Sequence, residues 1–346
     1  MSIMNSDGSS VRFFSTRDAP PDPLRGERIA VLGFGHLGRP LAMNRRNSGV
    51  SSLVVGNIAD EYAEQAAAEG FSVLSIGEAT AASDVVLMLL PDEVLPEVFA
   101  ADIVPNLSLG SAIAFASGYN LAYGLIEPPP GVDLLLLAPR MGGENARQRF
   151  LNGQGFFAYL AVEQDASGKA WARLLGLADL AGILRAGALE LDARREADID
   201  LFVEQSIGAA LGVSIMLAFS IGVEAGIPPE AMVVEMYMSE EMESVHRAFR
   251  EEGFFRSSGA HGPTAMYGGY LRTMELLQSE LSSKFHETLN QIRSGAFARQ
   301  FQAERKSGYP TLSIAQAFSM DDHPQTQAEE RVRALLGHAR HDETVS

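Results

Sequence analysis

The stretch Gly33-Phe34-Gly35-His36-Leu37-Gly38 decides the fold, because it follows an apolar run, Ile29 to Leu32, and opens a helical stretch. A second apolar run begins at Ser52, so the segment reads as β-α-β. Glycines at the first, third and sixth positions permit a tight turn, close approach of a pyrophosphate and close helix–strand packing. The helix N-terminus adds partial positive charge. We predict that all six residues bind a dinucleotide; a tight turn without a ligand is the alternative.

Further short apolar runs continue the first half of the chain. They fall at Asp84 to Leu90, Ala112 to Phe115, Asp133 to Leu137 and Phe156 to Val162. Segments compatible with helices separate them, so we predict a parallel sheet covered on both faces. After about Leu191 helical spacing takes over. The predicted organisation is a tail and lead-in over 1–26, a Rossmann domain over 27–192, a helical domain over 193–337 and a tail over 338–346.

Composition limits the function. The chain has 346 residues, a formal charge of −17 and no cysteine. Because nucleic-acid binding draws on clustered Lys and Arg, we expect no nucleic-acid partner. Without cysteine, any metal must be held by oxygen or histidine, and a reducing cytoplasm is the expected location. The uncharged stretch from Ser206 to Val223 has about the minimum length for a membrane span; we predict instead a buried core helix.

The choice of nicotinamide depends on the residues after the second strand, Gly56-Asn57-Ile58-Ala59-Asp60-Glu61. This stretch contains no Lys or Arg that could bind a 2′-phosphate, whereas Asp60 is able to accept hydrogen bonds from an unmodified ribose. We therefore favour NAD over NADP, with Asn57 and Asp60 as cofactor contacts. Alternatively, Asp60 and Glu61 simply begin the next helix, where negative charge is favourable.

Asp200 and Glu204 are four residues apart and so share one helix face, directly before the uncharged stretch. A hard cation such as Mg²⁺ is a natural partner for such carboxylates, although acidic pairs usually face water. Glu235, at the end of an apolar run, is the one acid of the next helix that periodicity points inwards.

The whole chain resembles the short, class I ketol-acid reductoisomerases. The resemblance is carried by the glycine turn with Ala42-Met43-Asn44-Arg45-Arg46-Asn47-Ser48-Gly49-Val50, Leu90-Pro91-Asp92-Glu93, Gln164-Asp165-Ala166-Ser167-Gly168, Asp200-Leu201-Phe202-Val203-Glu204-Gln205, Glu224-Ala225-Gly226, Ser294-Gly295-Ala296-Phe297-Ala298 and Gly308-Tyr309-Pro310. It implies a Rossmann domain, a knotted all-α domain that dimerises, two Mg²⁺ between subunits, and alkyl migration followed by NAD(P)H reduction. By position, Asp200, Glu204 and Glu235 match metal ligands, and Leu90, Pro91 and Asp92 join the predicted cofactor site.

Four positions depart from the family pattern. Ser239 replaces a fourth carboxylate, Ser117 replaces a histidine, Arg140 replaces a lysine, and Gly262, beside His261, replaces a substrate-binding serine. The alkyl shift needs charge held on two substrate oxygens, so a lost ligand harms that step most.

Hydride transfer needs only a positioned nicotinamide and one electrophilic group. We therefore predict a reductase of a small polar carbonyl or imine other than acetolactate, with Asp200, Glu204, Arg140, Ser117 and His261 as catalytic candidates. The alternatives are an authentic ketol-acid reductoisomerase, in which Glu240 reaches the second metal, and a nucleotide-binding regulator without catalysis. His261 is otherwise a surface-loop residue. A homodimer or higher homo-oligomer is expected, with no membrane partner.

Overall fold

The computed structural model describes residues 2–4, 10–22, 24–257, 262–318 and 323–336. The chain divides into two compact units, residues 1–200 and 201–346. The boundary predicted near Asp192 falls a few residues before this division, just ahead of the helix Ala193–Val203.

A ten-stranded sheet forms the centre of the first unit. Its strands are β1 (Ser2–Met4), β2 (Ser10–Phe14), β3 (Ile29–Leu32), β4 (Leu53–Gly56), β5 (Ser72–Leu74), β6 (Val85–Met88), β7 (Ala112–Phe115), β8 (Asp133–Pro139), β9 (Ala158–Gln164) and β10 (Ala188–Glu190). Six of them run parallel in the order β5-β4-β3-β6-β7-β8. This is the Rossmann order, and its switch point lies between β3 and β6, where dinucleotides bind.

The sheet is not entirely parallel, which corrects the sequence prediction. β9 pairs with β8 in antiparallel fashion, and β2 pairs antiparallel with β10. Strands buried on both faces read as continuous apolar runs whichever way they run, so the pattern does not reveal direction. β2 also belongs to the N-terminal segment that the sequence predicts as tail and lead-in.

Helices cover both faces of this sheet, as predicted. They are α1 (Gly38–Asn47), α2 (Glu61–Ala68), α3 (Ile76–Ala81), α4 (Leu95–Val98), α5 (Tyr119–Ala122), α6 (Gly143–Leu151), α7 (Ala170–Leu180), α8 (Ile183–Ala186) and α9 (Ala193–Val203). The strand period of two sends Ile29 and Val31 into one apolar cluster and Ala30 and Leu32 into another. Each fully buried Val or Leu contributes roughly 1.5–3 kcal/mol to folding, so β3 anchors the sheet.

The second unit is helical throughout its described residues, as predicted. Its α-helices are α10 (Ala209–Glu224), α11 (Pro229–Val233), α12 (Glu241–Glu251), α13 (Phe254–Ser257), α14 (Pro263–Leu277), α15 (Leu281–Arg293), α16 (Ala296–Lys306), α17 (Pro310–Phe318) and α18 (Pro324–Leu336). Two π-helical turns, Glu204–Gly208 and Val234–Met238, interrupt the regular helices. A small apolar cluster joins Phe219, Val233, Ala328 and Val332.

The uncharged helix is not a buried core helix, which corrects the prediction for Ser206 to Val223. Of α10, only Phe219 and Gly222 are buried. Ile207, Met216 and Ile221 are about 60% exposed, at 60%, 58% and 62%. The continuous helical run Ala193–Glu224 is long and apolar enough to cross a membrane. Apolar composition predicts burial only where another element covers the helix, and the described residues of one chain leave most of α10 uncovered.

Candidate active site

The glycine-rich turn lies at the switch point, where β3 ends. Gly33 has a φ of +92°, and a Cβ there would lie 2.6 Å from the carbonyl oxygen of Leu89. A Cβ on Gly38 would lie 2.0 Å from the carbonyl oxygen of Gly33. A Cβ on Gly35 would meet no described atom within 4 Å. The fold therefore requires Gly33 and Gly38, whereas Gly35 leaves open space beside the N-terminus of α1, where a pyrophosphate is favoured.

The other residues of this turn have different surroundings. Phe34 is buried, and its backbone N–H donates to Asn57 Oδ1 over 3.3 Å. The imidazole of His36 lies against the start of α6, because a Cβ on Gly143 would come within 2.2 Å of its Cε1. Leu37 precedes α1 without a side-chain cap. The uncapped N–H groups at the start of α1 are thus open to an anion.

The end of β4 carries the predicted ribose contacts. Asp60 caps α2 by accepting a hydrogen bond from Ala63 N over 3.0 Å, and it accepts a second from Asn57 Nδ2 over 2.7 Å. A cleft of about 610 Å³ adjoins this turn. The charged side chains that line it are Glu78 and Asp102, and its lining contains no Lys or Arg. The cleft therefore offers acidic and neutral groups, but no cation, to a cofactor.

The loops after β6 and β7 meet around Asp92, which follows Leu90 and Pro91. Its carboxylate accepts hydrogen bonds from Ser117 Oγ over 3.3 Å and from Asn120 Nδ2 over 3.0 Å. Burial raises the pKa of Asp92 to about 6, although these hydrogen bonds oppose the rise. Ser117 is thus tied to a carboxyl group that is partly protonated near neutral pH, and the hydroxyl itself does not titrate there.

A second polar cluster joins β8 to α9. Arg140 Nη2 donates to Glu196 Oε1 over 2.7 Å, and Arg140 Nη1 donates to Asp200 Oδ1. Glu196 is fully buried, and its other oxygen accepts from Gly118 N over 2.7 Å. Burial raises the pKa of Glu196 to about 7, against the lowering effect of Arg140. A Cβ on Gly118 would lie 2.2 Å from Ala193 O, so glycine permits this approach of α9.

The predicted metal ligands are not gathered into a metal site. Glu204 and Glu235 are exposed, which corrects the inward orientation predicted for Glu235. Each lies in a π-helical turn, a feature frequent at functional sites that shifts side chains away from the regular helical period. Asp200 is already paired with Arg140. In the part of the chain that the structure describes, no three His, Asp or Glu side chains converge on a point where an ion would bind. The described residues of one chain thus do not form a site for a divalent cation by themselves.

Two of the four positions that depart from the family pattern, Ser239 and Gly262, lie at helix ends. Ser239 ends a π-helical turn, where its N–H donates to Val234 O over 3.1 Å. Glu240 follows with a φ of +62°, in the left-handed region. The helix irregularity that the alternative reading requires is therefore present. Gly262 precedes α14 and is exposed, whereas His261 lies outside the described residues.

Sequence reasoning missed Glu196, Asn120 and Tyr159. The ring of Tyr159 lies 5.0 Å from the Arg140 guanidinium carbon and so supports its flat face. A signal for Glu196 was present, because it precedes Asp200 by one helical turn and therefore shares its helix face. Asn120 carried no signal beyond its place three residues after Ser117.

Comparison with known families covers nearly the whole chain. Residues 23–187 match the acetohydroxy acid isomeroreductase NADPH-binding domain, and residues 194–338 match the ketol-acid reductoisomerase C-terminal domain. The putative ketol-acid reductoisomerase 3 of Saccharolobus solfataricus is 37% identical over 299 residues, 85% of this chain and 90% of that protein. The ketol-acid reductoisomerase (NADP(+)) of Pyrobaculum neutrophilum is 34% identical over 326 residues, 94% and 99% of the two chains.

A solved structure agrees with these sequence matches. The NADH-preferring ketol-acid reductoisomerase from an uncultured archaeon superposes with a TM-score of 0.88 at 31% identity, covering 94% of this chain and 99% of its own. A semialdehyde dehydrogenase NAD-binding protein from Cupriavidus necator, at 21% identity and a TM-score of 0.58, shares the fold alone. Both units of the chain therefore have counterparts in one known architecture.

Proposed function

Because the chain belongs to the ketol-acid reductoisomerase family, it is a nicotinamide-dependent oxidoreductase, and we propose that it reduces a small polar carbonyl or imine substrate other than acetolactate. The observation that carries this proposal is the pairing of Arg140 with Asp200. A carboxylate held by a guanidinium is a poor ligand for Mg²⁺, and alkyl migration places the heavier demand on metal ions. The loss of Asp200 as a metal ligand therefore impairs reduction less than it impairs isomerisation.

The described side chains supply what reduction requires besides the cofactor. When bound, the reduced nicotinamide supplies a hydride to the substrate carbon, and the substrate oxygen must then take up a proton. Burial raises the pKa of Glu196 to about 7, so this carboxyl group is a candidate proton donor near neutral pH. The guanidinium of Arg140 is able to stabilise the negative charge that develops on the substrate oxygen.

We further propose that NADH is the preferred cofactor. Asp60 already accepts two hydrogen bonds at the end of β4, and the adjoining cleft contains no cation for a 2′-phosphate. An acidic residue at this point favours an unmodified ribose. The family description names NADPH, whereas one solved relative prefers NADH, so the family contains both preferences.

An authentic ketol-acid reductoisomerase is the second candidate. The match over both family domains and the irregular backbone at Glu240 favour it. In that case Asp200 and Glu204 would bind Mg²⁺ together with Glu235 and Glu240 of a second copy, and Arg140 would have to release Asp200.

The first experiment separates reduction from isomerisation. Nicotinamide oxidation is followed with 2-acetolactate and, separately, with the already isomerised 3-hydroxy-3-methyl-2-oxobutanoate, each with NADH or NADPH and with Mg²⁺ or EDTA. Turnover of acetolactate would overturn our proposal and establish the second candidate. Turnover of the isomerised acid or of other 2-oxo acids alone would support it. Nicotinamide binding without turnover of any small carbonyl or imine would favour a nucleotide-binding regulator.

We also propose that the exposed apolar surface of α10 is covered by a second copy of the chain, as a cytoplasmic homodimer. Leu211, Val213 and Leu217 lie around this helix and are each about half exposed, at 47%, 55% and 55%. The same unit exposes Tyr267 and Tyr270, and aromatic side chains are enriched at protein interfaces. Exposed apolar surface of this extent marks an interaction site.

Light scattering after gel filtration tests the dimer. A mass of twice 37.2 kDa or a higher multiple is expected. A monomer that floats with phospholipid vesicles would instead show that α10 inserts into membranes. A monomer that remains free of vesicles would show that neither a second copy nor a membrane covers α10.

A further inference from the structure

The two carboxylates on α9 share a single guanidinium. Arg140 uses Nη1 for Asp200, Nη2 for Glu196 and Nε for the carbonyl oxygen of Ala138, the last over 3.4 Å. Glu196 and Asp200 are separated by one helical turn, so their side chains emerge from the same face. One planar group thus bridges two acids that would otherwise repel each other.

Only an arginine is able to make this bridge. Its guanidinium is a rigid fork with donors at two separate nitrogen atoms, whereas a lysine ammonium is a single point charge. The flat face of Arg140 lies against Tyr159, with 5.0 Å between the guanidinium carbon and the ring centre. The Arg140 side chain is 23% exposed and that of Glu196 is 0% exposed. Packing and burial therefore fix the guanidinium in this orientation.

The bridge changes what Asp200 offers to a metal ion. A divalent cation prefers anionic oxygen ligands, and here one of the two Asp200 oxygens, Oδ1, already accepts a hydrogen bond from a positively charged guanidinium. To bind an ion through Oδ1, Asp200 would have to break this charge-assisted hydrogen bond. The loss of such a bond corresponds to a decrease in metal affinity of roughly 10- to 100-fold.

We infer that Arg140 takes the place of a divalent cation beside Asp200, and that this chain binds an anionic oxygen of its substrate with the guanidinium instead. An arginine has five N–H donors, and protein groups among the described residues engage three of those of Arg140. Two donors remain for a substrate carboxylate or carbonyl oxygen. This inference rests on the proposed reductase function, because an isomerase would need the ion itself.

A binding titration tests the inference without any substrate. Mn²⁺ serves as the probe, and its free signal is followed by electron paramagnetic resonance in the full-length wild type and in Arg140→Lys. The lysine variant keeps a positive charge for Glu196 but is unable to hold both acids. We expect weak binding to the wild type and a gain of at least roughly 10-fold in Arg140→Lys. Arg28→Lys, at an exposed pair with Asp84, is the matched control and should not change Mn²⁺ affinity.

A second substitution identifies the ligand. Asp200→Asn should leave the weak binding of the wild type unchanged and should abolish the gain in the Arg140→Lys background. NADH binding, followed by its fluorescence, confirms that each variant is folded. Tight Mn²⁺ binding by the wild type that Asp200→Asn abolishes would overturn the inference. Equal Mn²⁺ affinity in the wild type and Arg140→Lys would also overturn it. Neither result depends on the identity of the substrate, so failure of the proposed reaction remains a separate outcome.

Discussion

Replacing Asp133 by Ala should destabilise the first unit strongly, because it breaks a buried ion pair. Asp133 is fully buried at the start of β8 and accepts hydrogen bonds from Ala166 N, Ser167 N and Ser167 Oγ over 2.9, 2.9 and 2.7 Å. Arg173 Nη1 donates to it over 2.8 Å. Removing one member of a buried pair costs roughly 3–5 kcal/mol. At about 2–4 °C per kcal/mol for a domain of this size, Tm should fall by roughly 6–20 °C.

Asp84→Ala is the matched control, since Asp84 also stands at the start of a strand and pairs with an arginine. Its side chain and that of Arg28 are 37% and 55% exposed. Such a surface pair contributes about 0–1 kcal/mol, so Tm should fall by less than about 4 °C. Thermal unfolding followed by circular dichroism measures both variants. Equal losses would refute the argument that burial, and not ion pairing as such, sets the magnitude.

The pH dependence gives the same test a second readout. Burial alone would raise the pKa of Asp133, but hydrogen bonds from Ser167 and the charge of Arg173 hold it below its ordinary value. An acid with a lowered pKa stabilises the fold above its ordinary pKa and loses this contribution as the pH falls through the lowered one. The difference in Tm between wild type and Asp133→Ala should therefore be full at pH 7 and decrease below about pH 4.

Three further predictions concern the nicotinamide site. Gly35→Ala should fold normally but lose NADH binding, measured by fluorescence titration. Gly38→Ala should instead lower the unfolding temperature, because its Cβ meets the backbone of the preceding turn. The same phenotype in both variants would contradict the assignment of Gly35 to cofactor binding and of Gly38 to folding. Burial raises the pKa of Asp92 to about 6, so its ionisation opposes folding as the pH rises through that value. As the pH rises from 4 to 8, the free energy of unfolding of Asp92→Asn, measured with urea, should therefore increase by up to roughly 3 kcal/mol relative to that of the wild type. A difference between the two proteins that does not change with pH would disprove this prediction. Asp60→Ser retains a helix cap and removes a negative charge, so the affinity for NADPH should rise by roughly 10-fold while the affinity for NADH changes less. An unchanged preference between the two cofactors would show that other residues determine it.

Local signals made the Rossmann part of the fold predictable. The glycine turn lies between two apolar runs, so its β-α-β context was readable from neighbouring residues. β5 and β10 were not predicted, because each has three residues and gives no bounded apolar run. Strand direction was also unreadable, since β8 and the first half of β9 are mostly buried apolar runs that look alike in sequence.

The candidate site was predictable only where its residues are close in the chain. Asp200 was found from its spacing to Glu204. Glu196 was missed because its burial depends on Arg140 and Gly118, which precede it by 56 and 78 residues. A sequence pattern shows periodicity within one element, whereas contacts of this separation arise from packing of the whole unit.

The exposed apolar surface of α10 has a consequence for how stability should be measured. If a second copy covers this surface, the folded helical unit is part of an association equilibrium, and its free energy of unfolding depends on protein concentration. Each tenfold dilution then removes about 1.4 kcal/mol from the dimer relative to separated chains. Dilute samples would expose the helix first, so they would aggregate or adsorb to surfaces at temperatures where concentrated samples remain clear.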